Sequence, residues 1–200
     1  MCIRDRKGWL QELKTDAAYD VDDLLPAVRN GLSIDGKLFA APFYGESSML
    51  MYRKDLADKA GVQVPERPTW PQIKDLAAKI HDPKNGVYGI CLRGKPGWGD
   101  NMAFLTTLVN TFGGQWFDMQ WKPQLESKPW KDAITFYVDL LKNYGPPGSS
   151  ANSFNEILAL TNSGKCGMWV DATIAASFVA DPKQSKVADQ MAFALSLIHI

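Results

Sequence analysis

The chain has 200 residues, 46% of them hydrophobic and 22% charged, with 22 Lys+Arg against 22 Asp+Glu and a formal net charge of zero. That length holds one domain with a sizeable core or part of a larger one, and the composition is that of a folded chain rather than a disordered one. There is no basic tail, arginine cluster or aromatic–basic alternation, so nucleic acid is not an expected partner, and no run of about 18 apolar residues reads as a membrane span.

In chain order, residues 7 to 14 predict a short helix with Trp9, Leu10 and Leu13 as its apolar side. Asp16 to Asp23 is acidic and polar. Leu24 to Val28 is a short apolar element, ended by Asn30-Gly31. This opening part holds too few apolar residues to close a core alone. Asp35-Gly36 marks a turn, Leu38-Phe39-Ala40-Ala41 an apolar strand stopped by Pro42, and Met49-Leu50-Met51-Tyr52 a second strand. Between the strands lies a polar step, Tyr44-Gly45-Glu46-Ser47-Ser48. Two buried-looking strands joined by such a step read as a chain leaving one sheet for another. A carboxylate there stands between two bodies, where small-molecule clefts lie. A tight hairpin loop inside one sheet gives a similar pattern.

Arg53-Lys54-Asp55 opens a helix that Gly61 ends. Thr69-Trp70-Pro71-Gln72 is a capping box, and Trp70, Ile73, Leu76, Ala77 and Ile80 give the helix one apolar face as far as His81-Asp82-Pro83. An Asn85-Gly86 turn leads into a predicted strand, Val87 to Leu92. Its continuation, Arg93 to Asn101, interleaves Gly94, Pro96, Gly97 and Gly99 with Arg93, Lys95, Trp98, Asp100 and Asn101. It ends by capping a helix over Met102 to Phe112. A strand feeding a side-chain-rich loop and then a helix N-terminus is where open α/β sheets bind ligands. The structural alternative is a turn with Trp98 as a hydrophobic lid. The glycines match neither a dinucleotide fingerprint nor a P-loop.

Gly113-Gly114 stops that helix. Gln115 to Lys128 is a Trp-rich excursion of hairpin character, whose Trp116, Phe117 and Trp121 fit a cleft lining and a plug equally. Trp130 to Tyr144 is the strongest predicted helix, with Trp130, Ile134, Tyr137, Val138 and Leu141 recurring at three and four. It is expected to pack on a sheet, and Gly145-Pro146-Pro147-Gly148 ends it. Asn152 or Ser153 caps a helix over Phe154 to Thr161. Cys166 to Val170 is a strand, followed at once by Asp171-Ala172-Thr173. Asp171, beside Trp169, suits a ligand contact or a cap on the helix Ile174 to Ala180. Ser185 to Gln190 is a polar link and Met191 to Leu195 a last strand. Alternating strands and helices imply an α/β layer fold.

Seven tryptophans is a high number for this length, and a surplus of flat rings suits a site that stacks on sugar-like C–H faces. The spacing of Cys2, Cys91 and Cys166 fits neither a zinc site nor a redox pair. Cys91 and Cys166 lie in predicted strands, where a cysteine is by default a small buried hydrophobe; a disulfide is open to them if those strands are neighbours. His81 and His199 have no partners that suggest catalysis or metal binding. The ends, residues 1–6 and 196–200, resemble translated sequencing-adapter sequence, so the native part is expected over about 7 to 195. No signal peptide is recognisable, and if the protein is exported its start is expected to be missing.

The runs DGKLFAAPFYGESSMLMYRKDLADKAGV, PTWPQIKDLAAKI, GVYGICLRGKPGWGDNMAFLTTLVNTFGG, FYVDLLKNYGPPG and GKCGMWVDAT resemble the extracellular solute-binding proteins of bacterial ABC importers. They are most similar to the branch that handles sorbitol, mannitol and other polyols or sugars, and more distantly to maltodextrin-binding proteins. The resemblance implies a periplasmic-binding-protein-like α/β fold of type II, with two lobes joined by hinge strands and the solute bound between them. It implies that 7–46 is the end of the first lobe with the hinge crossing, at Tyr44, Gly45 and Glu46. On the same grounds 47–190 is most of the second lobe and 191–195 a return toward the first. The family's leading strands and everything after the return crossing then lie outside this chain. By the same resemblance Glu46 is a cleft carboxylate, Trp98 an aromatic platform, Arg93 and Asn101 polar contacts, and Trp169 and Asp171 part of the segment returning to the cleft. The implied partners are a polyol or sugar and a membrane permease. The implied location is the periplasm, with no cofactor, no metal, no catalysis and a monomeric state.

Two other readings remain. A glycoside hydrolase needs a close carboxylate pair, for which Glu46, Asp100 and Asp171 are available, although no carboxylate is flanked by an evident acid–base partner. A purely structural α/β domain would place its tryptophans in the core.

Overall fold

The computed structural model describes residues 8–43 and 45–195, and the chain divides into two compact units, Met1–Glu46 and Ser47–Ile200. Tyr44 of the predicted hinge, the ends 1–6 and 196–200, Cys2 and His199 lie outside the described residues.

In the first unit, 3₁₀ turns at Ala17–Tyr19 and Val21–Asp23 precede helix α1, Pro26–Gly31. Asp16 caps the first turn by accepting from the backbone N–H groups of Ala18 and Tyr19. Strands β1, Ser33–Ile34, and β2, Lys37–Leu38, form an antiparallel hairpin. Its turn residues Asp35 and Gly36 both have positive φ, 50° and 77°, which is the conformation that closes two-residue hairpins and explains the Asp-Gly pair. Two expectations change here. Residues 8 to 14 form no helix: Trp9 is exposed, and a short helix with no face to bury is not stable. The Leu13 N–H bonds instead to the Leu38 carbonyl. The strand predicted over Leu38 to Ala41 ends at Leu38; the Phe39 N–H bond to the Leu32 carbonyl is in the hairpin register, and among the described residues none follows it to the end of the predicted strand.

The second unit is built on a three-stranded antiparallel sheet in the order β4-β3-β5. Strand β3 is Ser48–Arg53, β4 is Met168–Ala172 and β5 is Met191–Ala194. The register pairs Ser48 with Ala172, Met49 with Asp171 and Met51 with Trp169. Side chains alternate across a strand, so both faces of the sheet are buried, by different partners. Leu50, Met168, Val170 and Ala194 face one cluster, with helices α2 (Lys54–Lys59), α3 (Trp70–Ile80), α4 (Asn101–Thr111) and α5 (Lys128–Tyr144). Met51 and Trp169 face the other, with α6 (Phe154–Asn162) and α7 (Ala175–Val179). The result is a helix–sheet–helix sandwich, an α/β layer fold.

Helix α3 forms as its sequence predicts. The Thr69–Gln72 capping box is present and Trp70, Ile73, Leu76, Ala77 and Ile80 are all buried. Ser153 with Glu156 caps α6 in the same way; the Ser153 backbone N–H holds the Glu156 carboxyl below the ordinary range. Phe117 bridges Pro123 in the Trp-rich excursion, a short hairpin.

Four further expectations are corrected. Val87 to Leu92 is not a full strand but an edge held by isolated parallel bridges, Tyr88 to Cys166 and Cys91 to Trp169. Gly89 lies against the Ala77 carbonyl, where a Cβ would come within 2.3 Å, so this segment is wedged against α3 instead of extending the ladder. Helix α5 lies nearest α4 and α3, and its buried residues share the cluster that holds the sheet residues Leu50, Met168 and Val170. Its buried line is Trp130, Ala133, Tyr137 and Leu140, spaced at three and four along one stripe, with Ile134 and Val138 exposed. Asp171 lies inside β4, and α7 has no side-chain cap. Finally, Cys91 and Cys166 are joined in a disulfide rather than packed as separate thiols.

Candidate functional site

The loop 93–101 leaves the sheet beside the C-terminal end of β4, and Arg93 ties it there. The Arg93 Nε donates to Asp171 Oδ2 at 2.7 Å and Nη2 to Oδ1 at 2.5 Å. This is a two-pronged pairing with geometric as well as energetic content. Asp171 also accepts from the Trp169 indole Nε1 at 2.9 Å and the Ala172 backbone N–H at 2.7 Å. A carboxylate has about four acceptor positions, so Asp171 is filled from within the unit. The Phe154 ring centroid lies 5.2 Å from the Arg93 guanidinium carbon and 5.2 Å from the Trp169 ring, completing a cation–aromatic stack.

The rest of the loop is pinned at close intervals. The Arg93 Nη1 donates to the Gly99 carbonyl, the Gly94 and Lys95 N–H groups to the Asn152 carbonyl, and the Asn101 N–H to the Lys95 carbonyl. Asn101 Oδ1 accepts from the Gly97 N–H at 3.1 Å, and Ser153 Oγ donates to the Asp100 carboxylate. A Cβ on Gly94 would sit 2.2 Å from the Ser149 carbonyl oxygen, which is why glycine stands where the loop turns against the backbone. From below, the Tyr137 hydroxyl donates to the Arg93 carbonyl at 2.6 Å. Burial pushes the Tyr137 phenol up to about 12, against a smaller opposing effect of the Asn101 side chain.

On this held loop Trp98 is 91% exposed, whereas Trp169 is fully buried. A large aromatic shown to solvent by a rigid loop is more informative than an exposed aliphatic side chain. At the same end of the sheet, where β3 begins and β4 ends, the Ser48 and Thr107 hydroxyls are 3.1 Å apart, and the Thr173 N–H donates to the Ser47 carbonyl. An exposed aromatic face and a pair of hydroxyls at one end of the sheet are groups that suit a neutral, hydroxyl-rich solute. Asp100 and Asp171 both accept hydrogen bonds from within the unit. Among the described residues no cluster of three or more His, Cys, Asp or Glu is arranged for a metal, and no helix is long and apolar enough to cross a membrane.

The structure thus brings Arg93, Trp169 and Asp171 into direct contact and carries Trp98 and Asn101 on the loop they anchor. Gly45 and Glu46 are exposed at the end of the first unit. Sequence reasoning missed Phe154, Ser153, Tyr137 and Thr107. Ser153 was visible only as a cap, and nothing local signals that Tyr137, on the strongest amphipathic helix, supports a loop 44 residues earlier.

A family model for bacterial extracellular solute-binding proteins matches residues 3–195. The chain belongs to that family. Within this solute-binding family it is similar to the mannitol-binding protein of Pseudomonas aeruginosa, 56% identical over 191 residues that make up 95% of this chain and 44% of the relative. It is also similar to a solved ABC-transporter solute-binding protein of Agrobacterium vitis with bound D-mannitol. The two share 61% identity and a TM-score of 0.92, over 98% of this chain and 48% of that one. A ribitol complex of a solute-binding protein from Agrobacterium radiobacter aligns at 28% identity with a TM-score of 0.87, over 98% of this chain and 50% of that one. The chain spans about half the length of these relatives.

Proposed function

We propose that this chain is part of the solute-binding component of an ABC importer, which takes a polyol or sugar into the cleft of a two-lobe protein and delivers it to a membrane permease. On this reading 7–46 is the end of the first lobe with the hinge at Tyr44, Gly45 and Glu46. Residues 47–190 are most of the second lobe and 191–195 the return, in the type II arrangement. The observation that carries the reading is exposed Trp98 on a loop pinned by Arg93 to Asp171, in a chain 61% identical to a protein with bound D-mannitol. Trp98 covers the C–H side of the solute. Glu46 accepts from hydroxyls in charge-assisted bonds, and Asn101 and Arg93 add polar contacts. Trp169 and Asp171 serve by holding Arg93. The role is binding and not catalysis, as in the family, and needs no cofactor. An exported, periplasmic setting agrees with the Cys91–Cys166 disulfide, since such bonds persist in oxidising compartments.

Calorimetric titration of D-mannitol, sorbitol, xylitol, glucose and maltose into the full-length protein tests this. Saturable heat with a polyol or monosaccharide is expected, with affinity at least tenfold weaker, about 1.4 kcal/mol, in Trp98→Ala and Glu46→Ala. Silence with every solute overturns the ligand class. Binding unchanged in both variants overturns the site.

A further inference from the structure

We propose that the Cys91–Cys166 disulfide is a positioning element of the binding site: it sets the register in which Arg93 meets Asp171, and so fixes the loop that presents Trp98. The consequence for affinity rests on the polyol-binding reading above; the geometry does not. Segment 87–92 is joined to the β4 side by two isolated bridges and three backbone hydrogen bonds, Tyr88 N to Lys165 O, Gly167 N to Tyr88 O and Cys91 N to Met168 O, each 2.8 Å. From Gly94 onward the backbone bonds to Asn152 instead. Both segments carry a glycine at the contact: a Cβ on Gly167 would lie 2.5 Å from the Ile80 side chain, and Gly89 has its own close approach to α3. The glycines keep this pairing close to α3, but it carries few ladder bonds, and a one-residue slip would turn every side chain to the other face.

The disulfide stands at this weak point. Cys91 lies two residues before Arg93, Trp169 and Asp171 share a face of β4, and Cys91, Cys166 and Trp169 pack in one cluster. The bond holds the two Cα atoms 5.8 Å apart across 75 residues of chain. Arg93 follows its first cysteine by two positions and Asp171 its second by five. A two-pronged guanidinium–carboxylate pair needs both prongs aligned, so a slip at Cys91 costs both bonds at once. Both cysteines are buried, so the bond acts as a fixed staple rather than as an exposed redox switch.

The test uses the full-length oxidised protein, Cys91→Ala/Cys166→Ala, and the volume-restoring Cys91→Ala/Cys166→Val, each checked for a cooperative thermal transition. D-mannitol affinity is expected to fall at least tenfold in a folded disulfide-free variant. Adding Asp171→Asn is expected to cost little more, because both changes remove the clamp on Arg93 and their effects do not add. Unchanged affinity in a folded variant, or fully additive losses, overturns the proposal. A ligand-independent readout accompanies this: the Arg93 Nε–H is expected as a slowly exchanging NMR signal in the oxidised protein, and absent once the disulfide is removed. If no polyol binds even the wild type, the ligand reading fails and this signal alone decides. Its loss then supports the staple, and its persistence in the variants overturns it.

Discussion

The two units use the same local devices to opposite effect. Residues 8–46 carry a capped 3₁₀ turn, a proline-started helix and an Asp-Gly hairpin, yet Leu38 is their one buried hydrophobic residue among those described, while Trp9, Leu25 and Phe43 stay exposed. Residues 47–195 carry capping boxes and glycine stops of the same kind, but their apolar faces meet across the sheet in two buried clusters. Local preference decides where a helix or turn begins. Removal of apolar area from water over long sequence separations is what makes a stable unit.

The largest expected effect breaks the second unit at its centre. Trp70 is fully buried, edge-on to Phe104 and Phe136, and its indole donates to Thr111. Trp70→Ala should lower unfolding stability by about 4 kcal/mol in urea titration; a loss under about 1 kcal/mol would contradict the core described here. Next is a pH effect. The folded Tyr137 pKa, pushed up to about 12, lies above its ordinary value of 10.0. The neutral phenol is therefore favoured by folding, and this stability is complete below pH 10 and lost as pH rises from 10 toward 12. The expected loss is about 2 kcal/mol in alkaline denaturation curves, and Tyr137→Phe should flatten that dependence. Smaller again, Thr69→Ala removes one half of a capping box and should cost about 1 kcal/mol. The smallest sharpens the contrast from the other side: Leu25→Ala in the first unit should change the main thermal transition by less than about 0.5 kcal/mol, because Leu25 buries so little.

Legibility followed the range of the interaction. The α3 capping box and its five buried residues, the Gly61 and Gly113 stops and the Asp35-Gly36 turn were readable because each depends on neighbours within one or two turns. The α5 face was misread because hydrophobicity favoured Ile134 and Val138, whereas the buried stripe runs through Trp130, Ala133, Tyr137 and Leu140. The segment 87–92 was overread as a strand because its apolar content is that of a strand, while glycine at 89 serves a contact with α3. In the site, Arg93, Trp98, Asn101, Trp169 and Asp171 were all singled out in the sequence. Their division of labour was not, since exposed Trp98 and buried Trp169 are the same letter.

The sequence by itself determined the class of fold, the places where helices start and stop, the loop 93–101 as the segment of interest, and the likeness to solute-binding proteins. Only the tertiary structure decided that Cys91 joins Cys166 across 75 residues, that Arg93 pairs with Asp171 across 78, and that Phe154 lies beside that pair. Periodicity and capping act over a few residues and leave their pattern in the order of the chain. Pairings between distant segments are set by which faces the sheet and helices bring together, and a linear pattern carries no record of that distance.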